Sequence, residues 1–223
     1  MSTVLEALDP SPQGASLAEN AYLLLRDRLI MLDIKPGDPI NDGQIAAELG
    51  IGRTPVREAI KRLESDHLVV SYPRRGTFAT GVDITQLADV SEIRELLEPL
   101  AARRAARMAG PKVRQELRDI ADTIDKLEDG RAGQHELMRY DIQVHRLIYK
   151  AAANPHLEDV LIRYDNLATR IWCYMLEKMP SVTGHIAEHV DLLKAIAAGE
   201  EEKAAALALH HVTSFEETVR KVL

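Results

Sequence analysis

The sequence predicts a mainly α-helical protein in two parts: a small N-terminal domain with three helices and a β-hairpin, and a larger all-helical C-terminal bundle. Ala, Leu, Glu and Arg are abundant, while aromatic residues make up only 4% of the 223 residues, which favours helix over sheet. Apolar residues recur at helical spacing through most of the chain. Breaks rich in proline and glycine divide these periodic segments into stretches of helix length.

The composition limits the class of protein. Hydrophobic residues make up 46% and charged residues 28%, the balance of a globular protein. The single cysteine, Cys173, cannot form a disulfide within the chain, so nothing calls for an oxidising compartment. Residues 1–16 lack the pattern of a signal peptide, and no apolar run approaches the roughly 18 residues of a membrane helix. We therefore expect a cytoplasmic protein that does not engage a membrane.

The first domain is expected within residues 16–80, and residues 1–15, which contain prolines and a glycine, are predicted to form a flexible tail. Three helical segments are followed by two β-favouring runs that a Pro/Gly turn joins into a hairpin. This order of elements is that of a winged helix-turn-helix. The predicted elements are helices at 16–32, at 42–49 and from about residue 54, and strands at 68–72 and 77–80.

The third helix has the features of a helix that reads DNA. Thr54 is a suitable N-cap, and Pro55 suits the first helical position because its missing N–H is not needed there. Arg53 and Arg57 are four residues apart and flank the first turn on one side. Each guanidinium can hold a phosphate or a guanine, and the backbone N–H groups of the first turn add an anion site. The alternative is an ordinary amphipathic helix with a solvated basic face.

The charge is distributed unevenly. The net charge of −7 argues against nucleic acid as a partner for the chain as a whole, yet residues 51–80 carry six basic and three acidic residues, a net +3 that leaves −10 for the remainder. Attraction to phosphate is screened within about 10 Å, so a local basic face is sufficient for binding DNA. Arg74 and Arg75 lie at the hairpin tip, where a wing meets DNA, and Gly76 allows a close approach.

This part of the chain resembles GntR-type transcription regulators over roughly residues 17–80. The resemblance lies in the string RTPVREA at 53–59, LE at 63–64 and RGT at 75–77. Gly43 stands where members of the family often carry a charged residue that touches DNA, so we expect that contact to be missing or supplied elsewhere. By position, the resemblance implies DNA contacts from Arg53, Thr54, Arg57, Arg75 and Gly76.

After a predicted linker at residues 81–83, every periodic segment is helical. The breaks between the segments contain glycine or proline, and no strand pattern is convincing. Residues 84–223 are therefore predicted to form a six-helix bundle. The predicted helices are residues 84–109, 112–129, 134–153, 156–179, 184–198 and 200–222.

Aspartate and histidine residues in this half have a spacing that suits metal binding. Asp141 and His145 are four residues apart and share one helix face, as do His185 and His189. Two adjacent histidines at 210–211 point about 100° apart, so at most one of them faces inward. Carboxylates and imidazoles that converge from several helices of a bundle form a metal site. Taken singly, each histidine is as easily explained as a surface or packed residue.

Residues 85–220 resemble the FCD ligand-binding domain of the FadR branch of GntR regulators. The segments that carry this resemblance are residues 92–98, 141–145, 152–155, 188–189 and 195–199. The resemblance places metal ligands at Asp141, His145, His189 and His211, selects His211 over His210, and leaves His185 beside the ligands or in the pocket wall. Three imidazoles favour zinc, with nickel and manganese as alternatives.

The resemblance also implies a small organic-acid effector. Its carboxylate and a neighbouring hydroxyl would bind the metal, while a guanidinium pairs with the acid. Arg94 on the first helix of the bundle is the first candidate for that guanidinium, and Arg170 is the second. The alternative for both arginines is an ordinary salt bridge.

These expectations lead to an effector-controlled repressor that binds a palindromic operator as a homodimer, because one winged helix reads one half-site. A first alternative is a regulator for which the metal itself is the signal. A second is a helical metalloenzyme with a DNA-binding appendage. No obvious general base accompanies the predicted ligands, so we expect that the chain is not an enzyme.

Overall fold

The computed structural model describes residues 14–126, 133–178 and 182–222. The chain divides into two compact units with their boundary between Asp83 and Ile84. Residues 1–13 of the predicted tail lie outside the described part of the chain. The described residues form long helices and one small antiparallel sheet. The prediction of a mainly α-helical fold, with a winged helix-turn-helix and a helical bundle, is confirmed.

The described residues of the first unit form three helices and three short strands. They are α1 (Leu17–Ile30), β1 (Pro39–Ile40), α2 (Asp42–Leu49), α3 (Arg53–Ser65), β2 (Val69–Tyr72) and β3 (Gly76–Ala79). Ser16 caps α1 by accepting a hydrogen bond from the Glu19 N–H at 3.1 Å. Asn41 Oδ1 caps α2 by accepting from the N–H groups of Gly43 and Gln44, both at 3.0 Å. These caps satisfy donors that have no acceptor within the helix.

The start of α3 differs from the prediction. Gly52 is the N-cap residue and the helix begins at Arg53, so Thr54 is not the N-cap and Pro55 is the third helical residue instead of the first. A proline fits there because N–H groups throughout the first turn lack an acceptor within the helix. No side chain caps this helix start, so its first N–H groups remain available to an anion.

The strands form an antiparallel sheet in the order β1-β3-β2. The hairpin of β2 and β3 was predicted, but β1 was not, because it has only two residues and begins with Pro39 at the sheet edge. The hairpin turns where the Arg75 N–H donates to the Tyr72 carbonyl at 3.1 Å. The turn comprises residues 72–75, with Pro73 in its second position. Arg74 in the third position takes a left-handed backbone conformation, with φ of +62°, as this position of a type II turn requires.

The second unit is helical throughout its described residues. Its helices are α4 (Leu87–Met108), α5 (Pro111–Ile124), α6 (Gln134–Ala151), α7 (Pro155–Met175), α8 (Thr183–Ala198) and α9 (Glu201–Arg220). The predicted helix 84–109 begins with a 3-10 turn at Ile84–Gln86, and the predicted helix 156–179 ends in another at Leu176–Lys178. The predicted helix 112–129 ends at Ile124, and residues 127–129 and 179 lie outside the described ranges.

Helix α4 packs against α6, α7, α8 and α9. Ala101, Ala102 and Ala105 on α4 are fully buried, and such small side chains allow neighbouring helices to approach closely. Arg94 and Glu98 lie earlier on the same helix and are each only 4% exposed, so α4 also carries charged groups into the bundle interior. No helix in the described ranges combines the length and the apolar character needed to cross a bilayer.

Candidate metal centre and nucleic-acid interface

Four residues of ligand type meet in the interior of the helical unit. Asp141 and His145 come from α6, His189 from α8 and His211 from α9. All four are at most 4% exposed, and one ligand atom from each lies within 4.8 Å of the others. The structure therefore brings together the four residues that were predicted as metal ligands.

The four ligand atoms are spaced as a single ion requires. His145 Nε2 lies 3.2 Å from His211 Nε2 and 3.4 Å from His189 Nε2. Asp141 Oδ1 lies 3.9, 3.7 and 4.0 Å from the Nε2 atoms of His145, His189 and His211. Ligand atoms held tetrahedrally at about 2.1 Å from zinc are about 3.4 Å apart, so small movements would place all four atoms on one ion.

Each of the three imidazoles uses its other ring nitrogen in a contact outside the cluster. Such a contact fixes the orientation of the ring and the position of its proton, and leaves Nε2 as the atom that faces a metal. The Nδ1 contacts are Glu98 Oε2 at 3.2 Å and Tyr149 Oη at 3.1 Å for His145, the Ile186 carbonyl at 3.3 Å for His189, and Glu188 Oε2 at 2.9 Å for His211.

The histidines differ in their protonation. Burial and the neighbouring imidazoles hold the pKa of His189 well below its usual value. Burial and His185 lower the pKa of His211 to about 3. For His145, burial acts in the same direction, but Glu98 and two nearby aspartates outweigh it and raise the pKa to about 9. Two imidazoles are therefore neutral at pH 7, while the third carries a proton that a metal ion must displace.

Asp141 supplies the strongest sign that the cluster fits a cation. Its Oδ1 atom is buried and has no hydrogen-bond partner in the structure. A buried carboxylate oxygen without a donor is unfavourable, and a divalent ion among the imidazoles would satisfy it. One carboxylate and three imidazoles form a donor set that suits zinc, nickel or manganese. The residues present therefore fit a divalent metal ion.

His185 lies beside the four ligands, as the resemblance implied. Its ring stacks on that of His211 with centroids 4.0 Å apart, and it contacts the Trp172 ring in a tilted arrangement with centroids 4.3 Å apart. Its Nε2 lies 3.6 Å from Asp141 Oδ1. His185, Glu188 and His211 form a second group able to hold a metal, but it shares His211 with the first. The neighbouring His210 is exposed.

Arg94, the first effector candidate, is bound by two carboxylates of the protein. Its guanidinium donates to Glu98 Oε1 at 2.6 Å and lies 3.3 Å from Asp165 Oδ1. Glu98 Oε1 also accepts from Tyr149 Oη at 2.9 Å, and Glu98 Oε2 contacts His145. Although burial favours the neutral acid, Arg94 and His145 lower the pKa of Glu98. A continuous polar path thus joins Arg94 to a candidate metal ligand.

Sequence reasoning assigned no role to Glu98 or Asp165. The four-residue spacing from Arg94 to Glu98 was a usable signal, because side chains at that spacing meet on a helix. Asp165 lies on α7, and nothing local in the sequence connects it with α4. Arg170, the second effector candidate, is also on α7, where burial lowers its pKa to about 10.

The first unit exposes the predicted DNA contacts on α3. The side chains of Arg53 and Arg57 are 60% and 62% exposed, and both bind Asp42 at the start of α2. Thr54 is exposed between them. A Cβ atom at Gly43 would lie 3.9 Å from Arg53 Nε. The position at which the family often carries a charged residue is therefore next to Arg53 and Asp42.

The hairpin tip places Arg75 and Gly76 in solvent, and Gly76 has a φ of +99° that favours glycine. Two of the three acidic residues between positions 51 and 80 are engaged within the unit. Asp66 accepts a hydrogen bond from Tyr22 Oη and Glu64 accepts one from the Ser71 N–H, both at 2.8 Å. These neutral donors orient the two carboxylates, and the excess of basic over acidic residues between positions 51 and 80 leaves α3 and the wing with a net positive charge.

A winged helix-turn-helix with an exposed arginine-bearing helix, carried on one chain with a helical bundle, is the architecture of a DNA-binding transcription regulator. Residues 17–79 match the family described as "Bacterial regulatory proteins, gntR family", and residues 89–214 match the FCD domain. The chain therefore belongs to the GntR family of transcription regulators and carries an FCD domain. This confirms the predicted family.

Named relatives agree with this assignment. The chain is 26% identical over 190 residues to the Nta operon transcriptional regulator of Aminobacter aminovorans, covering 85% of this chain and 88% of that protein. It is 22% identical over 208 residues to the HTH-type transcriptional repressor RspR of Escherichia coli K12, covering 92% and 89%. The solved structure of E. coli McbR/YncC has the same fold, with a TM-score of 0.76 at 22% identity over 93% of this chain and 97% of that one. The family and the two named relatives are transcription regulators, which confirms the prediction that the chain is a regulator and not an enzyme.

Proposed function

We propose that this protein is a transcription repressor whose affinity for its operator is controlled by a small organic acid bound at a divalent metal ion. The observation that carries the proposal is the buried cluster of Asp141, His145, His189 and His211, in which three Nε2 atoms and one carboxylate oxygen without a donor face one another. RspR, one of the relatives, is a repressor by name, which supports the proposal that this protein represses transcription.

The proposed DNA contacts are Arg53, Thr54 and Arg57 on α3, with Arg75 and Gly76 on the wing. The first turn of α3 would enter the major groove while the wing contacts the backbone or minor groove. One such unit reads one half-site, so the protein would act as a homodimer on a palindromic operator. We place this activity in the cytoplasm, where the DNA is.

The four clustered side chains would hold the ion, and zinc matches three imidazoles and a carboxylate best. Because four protein ligands would complete a tetrahedral shell, the ion would take the carboxylate of the acid as an additional ligand by expanding its coordination. Arg94 would pair with that carboxylate, in competition with Glu98 and Asp165. Glu98 also contacts His145. If the acid displaced Glu98 from Arg94, the balance of charges along α4 would change, and α4 is the first helix after the boundary at residues 83–84. Differential binding of this kind is what a ligand needs to shift a conformational equilibrium.

A second candidate function is a regulator for which the metal is the signal. One observation favours it: two protein carboxylates already balance the charge of Arg94, so an acid would gain less from this arginine than it would from one that faced solvent. In that case the metal alone would change the affinity for DNA.

The experiment begins by selecting duplexes that the zinc-loaded protein binds from a random-sequence pool. Affinity for a selected duplex is then measured by fluorescence anisotropy with lactate, gluconate, malate and related acids, with and without zinc. We expect one acid to weaken binding about tenfold or more in the zinc-loaded protein, and to have no effect on His189→Ala. A change caused by zinc alone, with no effect of any acid, would support the second candidate.

A further inference from the structure

A single carboxylate holds the two arginines in the first turns of the proposed reading helix, Arg53 and Arg57. Asp42 Oδ1 accepts a hydrogen bond from Arg53 Nη2 at 2.7 Å, and Asp42 Oδ2 accepts one from Arg57 Nε at 2.5 Å. The Asp42 side chain is 18% exposed, whereas both arginines are largely exposed. The contacts join α2 to α3 across 11 and 15 positions of sequence. We call these three residues the Asp42 clasp.

The fold does not depend on Asp42 for the start of α2. Asn41 already caps that helix with two hydrogen bonds to its Oδ1 atom. Ion pairs between exposed side chains contribute little to stability, because water screens them and the side chains lose freedom. The clasp therefore calls for an explanation other than folding.

The geometry of the clasp leaves donors for DNA. A guanidinium has five N–H donors in a rigid fork. The bond from Arg57 to Asp42 uses Nε, and the bond from Arg53 uses one Nη2 hydrogen. Each arginine could keep its bond to Asp42 while other donors reach the O6 and N7 atoms of a guanine. Contact with a phosphate that required the whole fork would instead have to displace the carboxylate.

We propose that Asp42 is a positioning residue that sets the sequence specificity of DNA binding. It holds Arg53 and Arg57 in the directions that base edges require, so less side-chain freedom is lost on the operator. Its negative charge also competes with phosphates for the same guanidinium groups, which weakens binding to unrelated DNA. This inference rests on the proposed roles of Arg53 and Arg57 in DNA binding.

The test uses the full-length protein and a random-sequence duplex pool. A duplex selected by the wild type and a shuffled duplex of the same composition are then compared by anisotropy over a salt series. The variants are Asp42→Ala and Asp42→Asn, with Glu58→Gln as the matched control, because Glu58 is an exposed acid on α3 itself. Arg53→Ala and Arg57→Ala test the underlying DNA contacts, and thermal unfolding tests the fold of each variant.

We expect Asp42→Ala to lower the ratio of affinities for the selected and shuffled duplexes about tenfold, the size of one lost base contact. Its affinity for the shuffled duplex should rise, and the salt dependence on that duplex should steepen by about one to two phosphate contacts. Asp42→Asn should keep part of the ratio, because its amide oxygen still accepts. Glu58→Gln should leave the ratio unchanged.

Three results would decide against these assignments in different ways. Equal rises on both duplexes for Asp42→Ala and Glu58→Gln would show a general charge effect and overturn the role of Asp42. A proportional loss on both duplexes together with a lower unfolding temperature would show a structural role and overturn it as well. If Arg53→Ala and Arg57→Ala bind both duplexes like the wild type, the proposed DNA contacts themselves are wrong.

Discussion

The two units use charged side chains in opposite ways. Arg53 and Arg57 on α3 are about three-fifths exposed and share the carboxylate of Asp42, whereas the ligand cluster of the bundle is almost entirely buried. Exposure leaves a charge free to meet a phosphate but also lets salt screen it. Burial removes that screening, and neighbouring groups then shift protonation strongly.

Asp42 and Glu98 show this difference in one type of contact. Each carboxylate binds an arginine, at 2.7 and 2.6 Å. Asp42 is 18% exposed and its two arginines are about three-fifths exposed, so the arginines keep donors that face solvent and can reach DNA. Glu98 is 4% exposed and also contacts His145, so any change at Arg94 reaches the candidate metal centre. In our proposals, the same chemical pair therefore serves DNA binding in one unit and coupling to the candidate metal centre in the other.

The largest expected effect lies in the buried centre. His189→Ala removes one ligand, and we expect zinc affinity to fall by about a hundredfold or more, because the ligand itself should matter at least as much as its outer partners. A competition titration with a chromophoric zinc chelator measures this. His210→Ala, which removes an exposed histidine beside His211, should leave the affinity unchanged. An equal loss of zinc affinity in both variants would show that His189 is not a specific metal ligand.

At the surface, Arg57→Ala should weaken binding to a selected duplex by about ten- to a hundredfold, the range of a paired contact to guanine. Lys61→Ala is the control, because Lys61 is an exposed cation one turn further along α3. Its effect should be only a few-fold. Anisotropy titrations in the same buffer check this prediction. Equal losses of affinity in Arg57→Ala and Lys61→Ala would show that α3 binds DNA only through its general positive charge.

Glu98→Gln tests the polar path that joins Arg94, the effector candidate, to His145, a candidate metal ligand. The substitution keeps the shape of the side chain but removes the charge that orients His145 and raises its pKa, so it also weakens binding of the proton that competes with the metal. At pH 9, where that competition is small, we expect zinc affinity to fall about tenfold. Glu92→Gln, at an exposed position of the same helix, should have no effect. The chelator competition serves again, and an unchanged affinity in Glu98→Gln would show that the contact with His145 does not support metal binding.

Metal binding should depend on pH through His145. Its pKa is raised to about 9, so below that pH a metal ion has to displace a proton, and the apparent affinity should rise about tenfold per unit from pH 7 towards pH 9. His189 and His211 are already neutral in this range. Zinc affinity measured at several pH values would sink this account of His145 if it stayed constant over the interval.

The smallest effect is expected at the wing. Arg75→Ala should weaken binding to selected and shuffled duplexes alike by a few-fold, and should reduce the salt dependence by about one phosphate contact. A salt series in anisotropy measures both quantities. A loss confined to the selected duplex would instead make Arg75 a base-reading residue.

Local patterns predicted the helices and the hairpin but not how they meet. Periodicity and the Pro/Gly breaks located every long helix, while the two-residue strand β1 was too short to detect and the start of α3 was placed two residues late. Periodicity also left His210 and His211 undecided, and only the resemblance chose between them. The structure has His211 buried and His210 exposed.

The contacts that sequence reasoning missed join residues far apart along the chain. Asp42 meets Arg57 across 15 positions, and Arg94 meets Asp165 across 71. Each depends on the packing of two helices, which no local spacing determines. The sequence also did not predict which charged residues are buried. Glu98 is 4% exposed and contacts the candidate metal ligand His145, whereas its position in the sequence resembles that of any acidic residue on a helix.

The most direct test of the account is a zinc titration of chelator-treated protein followed by thermal unfolding. An ion that binds only the folded state raises its stability, by about 2.7 kcal/mol at a hundred times its Kd. We predict a clear rise in the unfolding midpoint of the wild type, and none in the variant carrying both Asp141→Asn and His189→Ala. An equal rise in both proteins, or no rise in the wild type, would contradict a metal centre at Asp141, His145, His189 and His211.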